Sequence, residues 1–385
     1  MNIILFDGAS RVDLLPLTFT RPTGEIRVGI LTIREKWERR LQAEVSFLTE
    51  EYLSAKYPMQ EKADNLFIAG NILPSSSFIN ELKQLKTGES LFSQEDLILA
   101  FRGSAEAFKA QQWEKRVAAE TPDMICFTYD IFLKNGSELE ADFACITQGK
   151  ESAQISKTNT VIGEYPVFIE EGAFVECVVL NTTKGPVYIG KDAEIMEGSL
   201  IRGPFAACEH ATVNMGTRIY GPTTLGPFCK VGGELNNIVM FGYSNKAHDG
   251  FLGNAVIGEW CNIGAGTEAS NLKNDYTEIK LWNYNTRRFA KTGLQFCGLI
   301  MGDYSKAGIN TMFNTATVVG VGCNIYGTGF PRNFVSSFLE GGNSGFDQTN
   351  MKKFFTTTEK VMARRSHILT EEDKQICMHV FQTDK

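Results

Sequence analysis

At 385 residues the chain exceeds the ~250–300 at which one hydrophobic core usually stops growing, so two domains are expected. A composition of 43% hydrophobic and 22% charged residues suits a soluble globular protein, and the net charge of −7 argues against a non-specific nucleic-acid binder. The nine cysteines are scattered singly, with no Cys-x-x-Cys pair, and are read as reduced, mostly buried thiols. The opening MNIILFDGASRVDLL lacks the basic segment and long apolar run of a signal peptide, and no stretch of ~20 apolar residues occurs, so a cytoplasmic protein without a membrane partner is expected.

In the first part of the chain, short apolar runs at 2–6 and 66–69 alternate with helical patterns at 31–41 and 78–85. That alternation predicts βαβ units, a mainly parallel sheet and an α/β, Rossmann-like domain over residues 1–150. In the first helix Leu31, Ile33, Trp37 and Leu41 point to the core, and Arg34, Glu35, Lys36, Glu38, Arg39 and Arg40 form the expected solvated face.

From about residue 160 the period changes to six. Ile169 and Val175, then Ile189, Ile195 and Ile201, then Val213, Ile219, Leu225 and Val231, then Ile257 and Ile263, and last Val319 and Ile325 keep this spacing. Small residues such as Ala173, Ala193, Ser199, Thr217, Thr223 and Cys261 follow four places after an aliphatic one. Six residues per edge and three edges per coil make a triangular prism with the aliphatic residues stacked inside, a left-handed parallel β-helix spanning 155–340. Two stretches, 236–251 and 271–295, break the count and are read as loops leaving the prism, where sites are commonly built. Residues 345–385 return to a helical pattern, with Thr370 placed as an N-cap.

His248 lies in the first of these interruptions, just before the repeat resumes. An ordinary imidazole titrates near ~6.5 and can take a proton from an attacking amine or alcohol at neutral pH, although a histidine at such a place is as readily structural. A metal-dependent hydratase on the same prism would need three clustered histidines, and His210, His248, His367 and His379 are too spread out for that.

The run from His248 through Gly250-Phe251-Leu252-Gly253 to Asn262-Ile263-Gly264-Ala265-Gly266-Thr267 resembles the acetyltransferase core of the bifunctional UDP-N-acetylglucosamine pyrophosphorylase/glucosamine-1-phosphate N-acetyltransferase family. The resemblance implies that His248 is the catalytic base and that Asn262 and Asn271 line the sugar and coenzyme A site. It places Phe251 where the family has a tyrosine and makes Lys280 a candidate phosphate ligand. Lys230 and Lys246 are further candidates for substrate binding, alongside their reading as surface lysines. Near the N-terminus, Gly8-Ala9-Ser10-Arg11 followed by Pro16-Leu17-Thr18-Phe19-Thr20-Arg21-Pro22 resembles the nucleotidyltransferase signature, which implies that Gly8 and Ser10 approach phosphate and that Arg11 acts in catalysis. Arg21 and Arg27 are candidate nucleotide ligands, Thr23 stands in place of the family's lysine, and Asn71 stands in place of its magnesium-binding aspartate. Asp7 and Asp13 are possible substitute metal ligands.

The expected chemistry is therefore acetyl transfer from acetyl-CoA to glucosamine-1-phosphate and uridylyl transfer from UTP to N-acetylglucosamine-1-phosphate, with Mg²⁺ for the second step and a homotrimer as the assembly. The alternatives are a thymidylyltransferase acting on a hexose-1-phosphate and dTTP, or an acyltransferase on another amino sugar whose first domain only binds a nucleotide or sugar phosphate. A non-enzymatic scaffold is a third.

Overall fold

A computed structural model describes residues 2–385. The chain divides into two compact units, one built from residues up to Leu14 with Thr20–Ile26 and Leu31–Phe127, the other from Leu15–Phe19, Arg27–Ile30 and Thr128–Lys385.

The first unit is a six-stranded sheet, here β1 (Asn2–Phe6), β2 (Val45–Leu48), β3 (Asn65–Ala69), β4 (Glu89–Phe92), β5 (Ile98–Gly103) and β6 (Glu114–Val117), in the order β2-β1-β3-β5-β4-β6. β1, β2 and β3 are parallel, but β5 runs antiparallel to both β3 and β4, so the sheet is mixed rather than mainly parallel. The reason is local: β4 and β5 are joined by a short turn through Asp96, whose φ is +67°, and a hairpin turn can join only antiparallel strands. Helix α1 (Ile33–Leu41) begins at Thr32, whose hydroxyl accepts from the Glu35 N–H while the Glu35 carboxylate accepts from the Thr32 N–H. Trp37 is fully buried on its inner face, and its indole N–H donates to the Ile72 carbonyl at 3.0 Å. Lys36, expected in water, is also buried, while Arg34 pairs with Glu25 at 2.6 Å and with Glu38 at 2.7 Å. Helix α2 (Glu51–Ser54), helix α3 (Ser76–Lys83, capped by Ser75) and helix α4 (Ala105–Lys109) complete this unit.

The main segment of the second unit starts with helix α5 (Asp130–Thr147) and continues as a parallel β-solenoid. Its coils carry the hexapeptide rhythm expected of a left-handed β-helix. Every aliphatic residue picked out by the six-residue count lies in one continuous buried core. Buried apolar side chains of this size contribute about 1.5–3 kcal/mol each, which is what holds two- and three-residue strands in register.

The first break in the repeat is not a loop. Residues Glu234–Gly242 form one nine-residue strand that pairs along its length with Phe251–Glu259. Ile201 stands opposite Ile219, three six-residue edges later, whereas Leu225 stands opposite Met240 and Val231 opposite Lys246, three residues fewer. The rhythm fails because this coil has lost residues: a sharp bend at Asn237, with φ +53°, replaces a longer corner. The second break does leave the prism, as an antiparallel hairpin, Lys280–Asn283 with Arg288–Lys291, whose Trp282 stacks on Phe334 at 4.1 Å.

Along one corner, His210, Phe228, Tyr243 and Trp260 occupy successive coils, each in the left-handed region with φ between 54° and 60°. Their rings stack at 4.5, 5.3 and 4.3 Å. Helices α6 (Met351–Ala363) and α7 (Glu371–Thr383) close the chain, and between them His367 sets its edge against Tyr243 at 4.7 Å. Thr370 caps α7 in a reciprocal box with Asp373.

Candidate functional site

His248 sits on a solenoid corner whose backbone is held at every step. The carbonyls of Lys246, Ala247, His248, Asp249 and Gly250 accept, in turn, from Gly232 N–H (2.7 Å), Asn214 Nδ2 (2.7 Å), Lys246 Nζ (2.8 Å), Gly266 N–H (3.0 Å) and Glu234 N–H (3.2 Å). Gly250, with φ +123°, has to be glycine, because a Cβ there would lie 2.1 Å from the Thr267 carbonyl oxygen. The imidazole itself is exposed and has no hydrogen-bond partner among the described residues. The backbone of this corner is fixed, and the His248 side chain is left open to solvent and to a ligand.

Lys246, read from sequence as a candidate substrate ligand, points the other way. It stands on the interior face opposite Val231, is 1% exposed, and donates to the carbonyls of Gly232 (3.2 Å) and His248 (2.8 Å). Burial pulls its ammonium down to about 8, against the opposing effect of Glu268 and Asp249. Nothing in the six-residue pattern distinguishes this lysine from an outward one, because the shortened coil shifts the phase.

Phe251 and Asn271 come together over Gly253, where a Cβ would meet both the Phe251 ring and Asn271 Nδ2 at 2.6 Å. Asn271 Nδ2 donates to Asn254 Oδ1 at 2.8 Å, which makes Asn254 a member of this group that the sequence reading missed. Lys230 and Asn262 lie on another face of the prism, on one outward ladder running Lys230, Asn245, Asn262, Lys306. Lys280 is exposed on the hairpin, opposite Lys291, and has no hydrogen bond or ion pair to the His248 corner among the described residues.

In the first unit the motif residues are engaged by the protein itself. Asp7, directly after β1, accepts from the Thr23 N–H (2.8 Å) through Oδ1, and from Thr49 Oγ1 (2.5 Å) through Oδ2, which also pairs with Arg11 Nε (3.1 Å). Arg11 is buried and donates to Tyr52 Oη at 2.8 Å. Ser10 lies with it in the turn Ala9–Leu14, and a side chain at Gly8 would meet only the Phe6 ring, at 4.0 Å. Arg21 is buried. Arg27, which belongs to the second unit, is buried too, with its guanidinium donating to the carbonyls of Phe241 (3.0 Å) and Ile30. The Asn71 amide donates to the Ile125 carbonyl at 3.2 Å.

The oxygens these residues offer a magnesium ion are few: the Asp7 carboxylate, which already accepts from Thr23 and Thr49, and Asn71 Oδ1, an amide oxygen that is a weaker ligand for a hard cation, and no group of three or more His, Cys, Asp or Glu positioned to hold a metal occurs among the described residues. A cavity of about 530 Å³ in this unit lies elsewhere, between α3 and residues 116–123, with Ser75, Glu81, Gln84, Arg116 and Asp123 in its walls. No motif marked it in the sequence.

The fold and these two sets of residues define a mixed α/β unit joined to a parallel β-solenoid. Residues 3–151 match the model of the family described as "Sugar nucleotidyl transferase". The chain is 31% identical over 145 residues to the bifunctional sugar-1-phosphate nucleotidylyltransferase/acetyltransferase of Sulfurisphaera tokodaii, covering 37% of this chain and 36% of that protein. It is 29% identical over 121 residues to the bifunctional protein GlmU of Methanocaldococcus jannaschii, covering 31% and 27%. With GlmU of Rippkaea orientalis it shares 27% over 147 residues, covering 34% and 28%. The chain thus spans about a third of the length of the curated relatives it matches. The crystal structure of the polySia specific acetyltransferase NeuO gives a TM-score of 0.29 at 12% identity, covering 51% of this chain and 88% of that one, a likeness too slight to bear on the argument. No described helix is long and apolar enough to cross a membrane.

Proposed function

We propose that this protein is a sugar-nucleotide transferase whose solenoid moves an acetyl group from acetyl-CoA to the amine of glucosamine-1-phosphate. The observation that carries the reading is the exposed, unbonded imidazole of His248 on a corner whose five carbonyls are all held. In this mechanism the imidazole takes the proton of the attacking nitrogen, which forms a bond to the thioester carbonyl carbon. The carbon–sulfur bond then breaks, and the coenzyme A sulfur leaves with the proton returned by the imidazolium. Phe251 and Asn271 flank the acceptor, and Lys246 holds the corner from inside instead of touching substrate. A homotrimer in the cytoplasm, where acetyl-CoA and sugar phosphates are found, belongs to the same reading.

Substituting His248→Ala should lower acetyl transfer by roughly 10²–10⁴-fold with the fold intact by circular dichroism. Normal turnover by that variant would remove His248 from the mechanism.

For the first unit, the family match and the bifunctional relatives support uridylyl transfer from UTP to N-acetylglucosamine-1-phosphate, giving UDP-N-acetylglucosamine. A second reading, a unit that binds a sugar phosphate or nucleotide without turning it over, is favoured by the way Asp7, Arg11 and Asn71 are occupied by their own neighbours. Pyrophosphate release from UTP or dTTP in the presence of sugar-1-phosphate and Mg²⁺ separates them: release supports the first, and its absence with both nucleotides supports the second.

A further inference from the structure

The solenoid face that carries Phe251 also carries a carboxylate that no cation of the protein balances. Glu234, Phe251 and Glu268 stand in one outward column. Glu234 pairs with Phe251 in register, and the pairing of Leu252 with Ala269 puts Glu268 on the following rung, about 4.8 Å further on. Glu234 is neutralised by Arg218 at 3.4 Å. Glu268 has no such partner: it is exposed, forms no ion pair among the described residues, and its side chain makes one hydrogen bond, Oε2 accepting from the Phe251 N–H at 2.6 Å. Asp249, next to His248, is likewise exposed and without an ion pair among the described residues, and its carbonyl accepts from the Gly266 N–H at 3.0 Å, so the Glu268 coil lies directly on the His248 coil. The Lys246 ammonium is inside the prism, committed to the carbonyls of Gly232 and His248. The His248 corner is therefore flanked by two uncompensated negative charges. Carboxylates so placed attract a cation and repel an anion, and a neutral alcohol or amide gains little from them.

We infer that Glu268 is a specificity-determining residue of the proposed acetyl transfer, on which this role rests: its carboxylate binds the ammonium form of the acceptor and so selects an amine over an alcohol. The Phe251 N–H fixes Oε2, which leaves Oε1 to accept from the ammonium. The same field turns the acceptor's phosphate away from Glu268, and its pull ends once the nitrogen has become the neutral amide of the product. Glu268 lies one residue past Thr267, where the acetyltransferase-like run ends, so no motif marks it.

Titration calorimetry of the full chain should show glucosamine-1-phosphate binding about tenfold more tightly than glucose-1-phosphate at neutral pH, a difference that Glu268→Gln removes. The glutamine keeps an oxygen for the Phe251 N–H and loses the charge, so glucose-1-phosphate should bind the variant at least as tightly as wild type. Equal loss of affinity for both sugars in the variant marks a structural residue and overturns the role, as does an amine preference that persists in the variant or is absent from wild type. Acetyl transfer from acetyl-CoA, measured on the same proteins and on His248→Ala, keeps the two failures apart. A preference lost in Glu268→Gln while wild type transfers no acetyl group sinks the proposed reaction and leaves Glu268 as an ammonium ligand. Transfer that depends on His248, with the preference intact in Glu268→Gln, sinks the role of Glu268 alone.

Discussion

The two units treat their motif residues in opposite ways. On the solenoid, His248 is exposed and unbonded, and every constraint falls on its backbone. In the α/β unit, Asp7 and Arg11 are buried against each other at 3.1 Å, and the same loop is closed by Thr23 and Tyr52. The contrast is between a side chain left to solvent and a group of side chains held by one another.

Four substitutions can break or sharpen that contrast. Arg11→Ala should have the largest effect on stability, about 3–5 kcal/mol, because it strands the buried Asp7 carboxylate. Urea unfolding reads it, and a loss of pyrophosphate release without loss of stability would restore Arg11 to a catalytic role. Ile257→Ala, in the stacked interior, should cost about 2–5 kcal/mol through a cavity. A cost under about 1 kcal/mol would show that the column is loosely packed.

Lys246 is next. Its folded value of about 8 lies below its unfolded value, so the unfolded state holds the proton more tightly between about pH 8 and 10.4. Wild type should therefore gain stability relative to Lys246→Met as the pH rises through that window, by on the order of 3 kcal/mol, with no change in the difference below pH 7. A flat difference would place the ammonium in water. Smallest is Thr32→Ala, which should cost about 1 kcal/mol by removing the cap of α1, with no effect on acetyl transfer.

Much of the solenoid was legible because its interior repeats: each aliphatic residue chosen on spacing alone is in the core. The spacing failed where the coil shortened. A run without the six-residue period looks the same whether residues are inserted or removed, so Glu234–Gly242 read as a loop and the inward turn of Lys246 went unseen. In the α/β unit the alternation of strand and helix was visible, but the reversed direction of β5 depends on a turn, and Lys36 is buried by tertiary packing that no helical period records. His248 could be picked from its neighbours in sequence. The ladder of Lys230, Asn245, Asn262 and Lys306 could not, since Asn262 and Lys306 are brought onto adjacent rungs only after the hairpin between them is looped out.

The ringed corner of the solenoid works as a spacing gauge. Left-handed backbone costs roughly 1–2 kcal/mol for a residue that is not glycine, yet His210, Phe228, Tyr243 and Trp260 all accept it. Their ring separations of 4.3–5.3 Å bracket the natural strand spacing of about 4.8 Å, so each face-to-face contact checks the rise of one coil against the next. The coils that lost residues, between Leu225 and Met240, are the ones this column spans. The strand ladders set the rise of these coils, and the stacked rings keep the same step through the coil whose residue count changes, one edge away from the His248 corner.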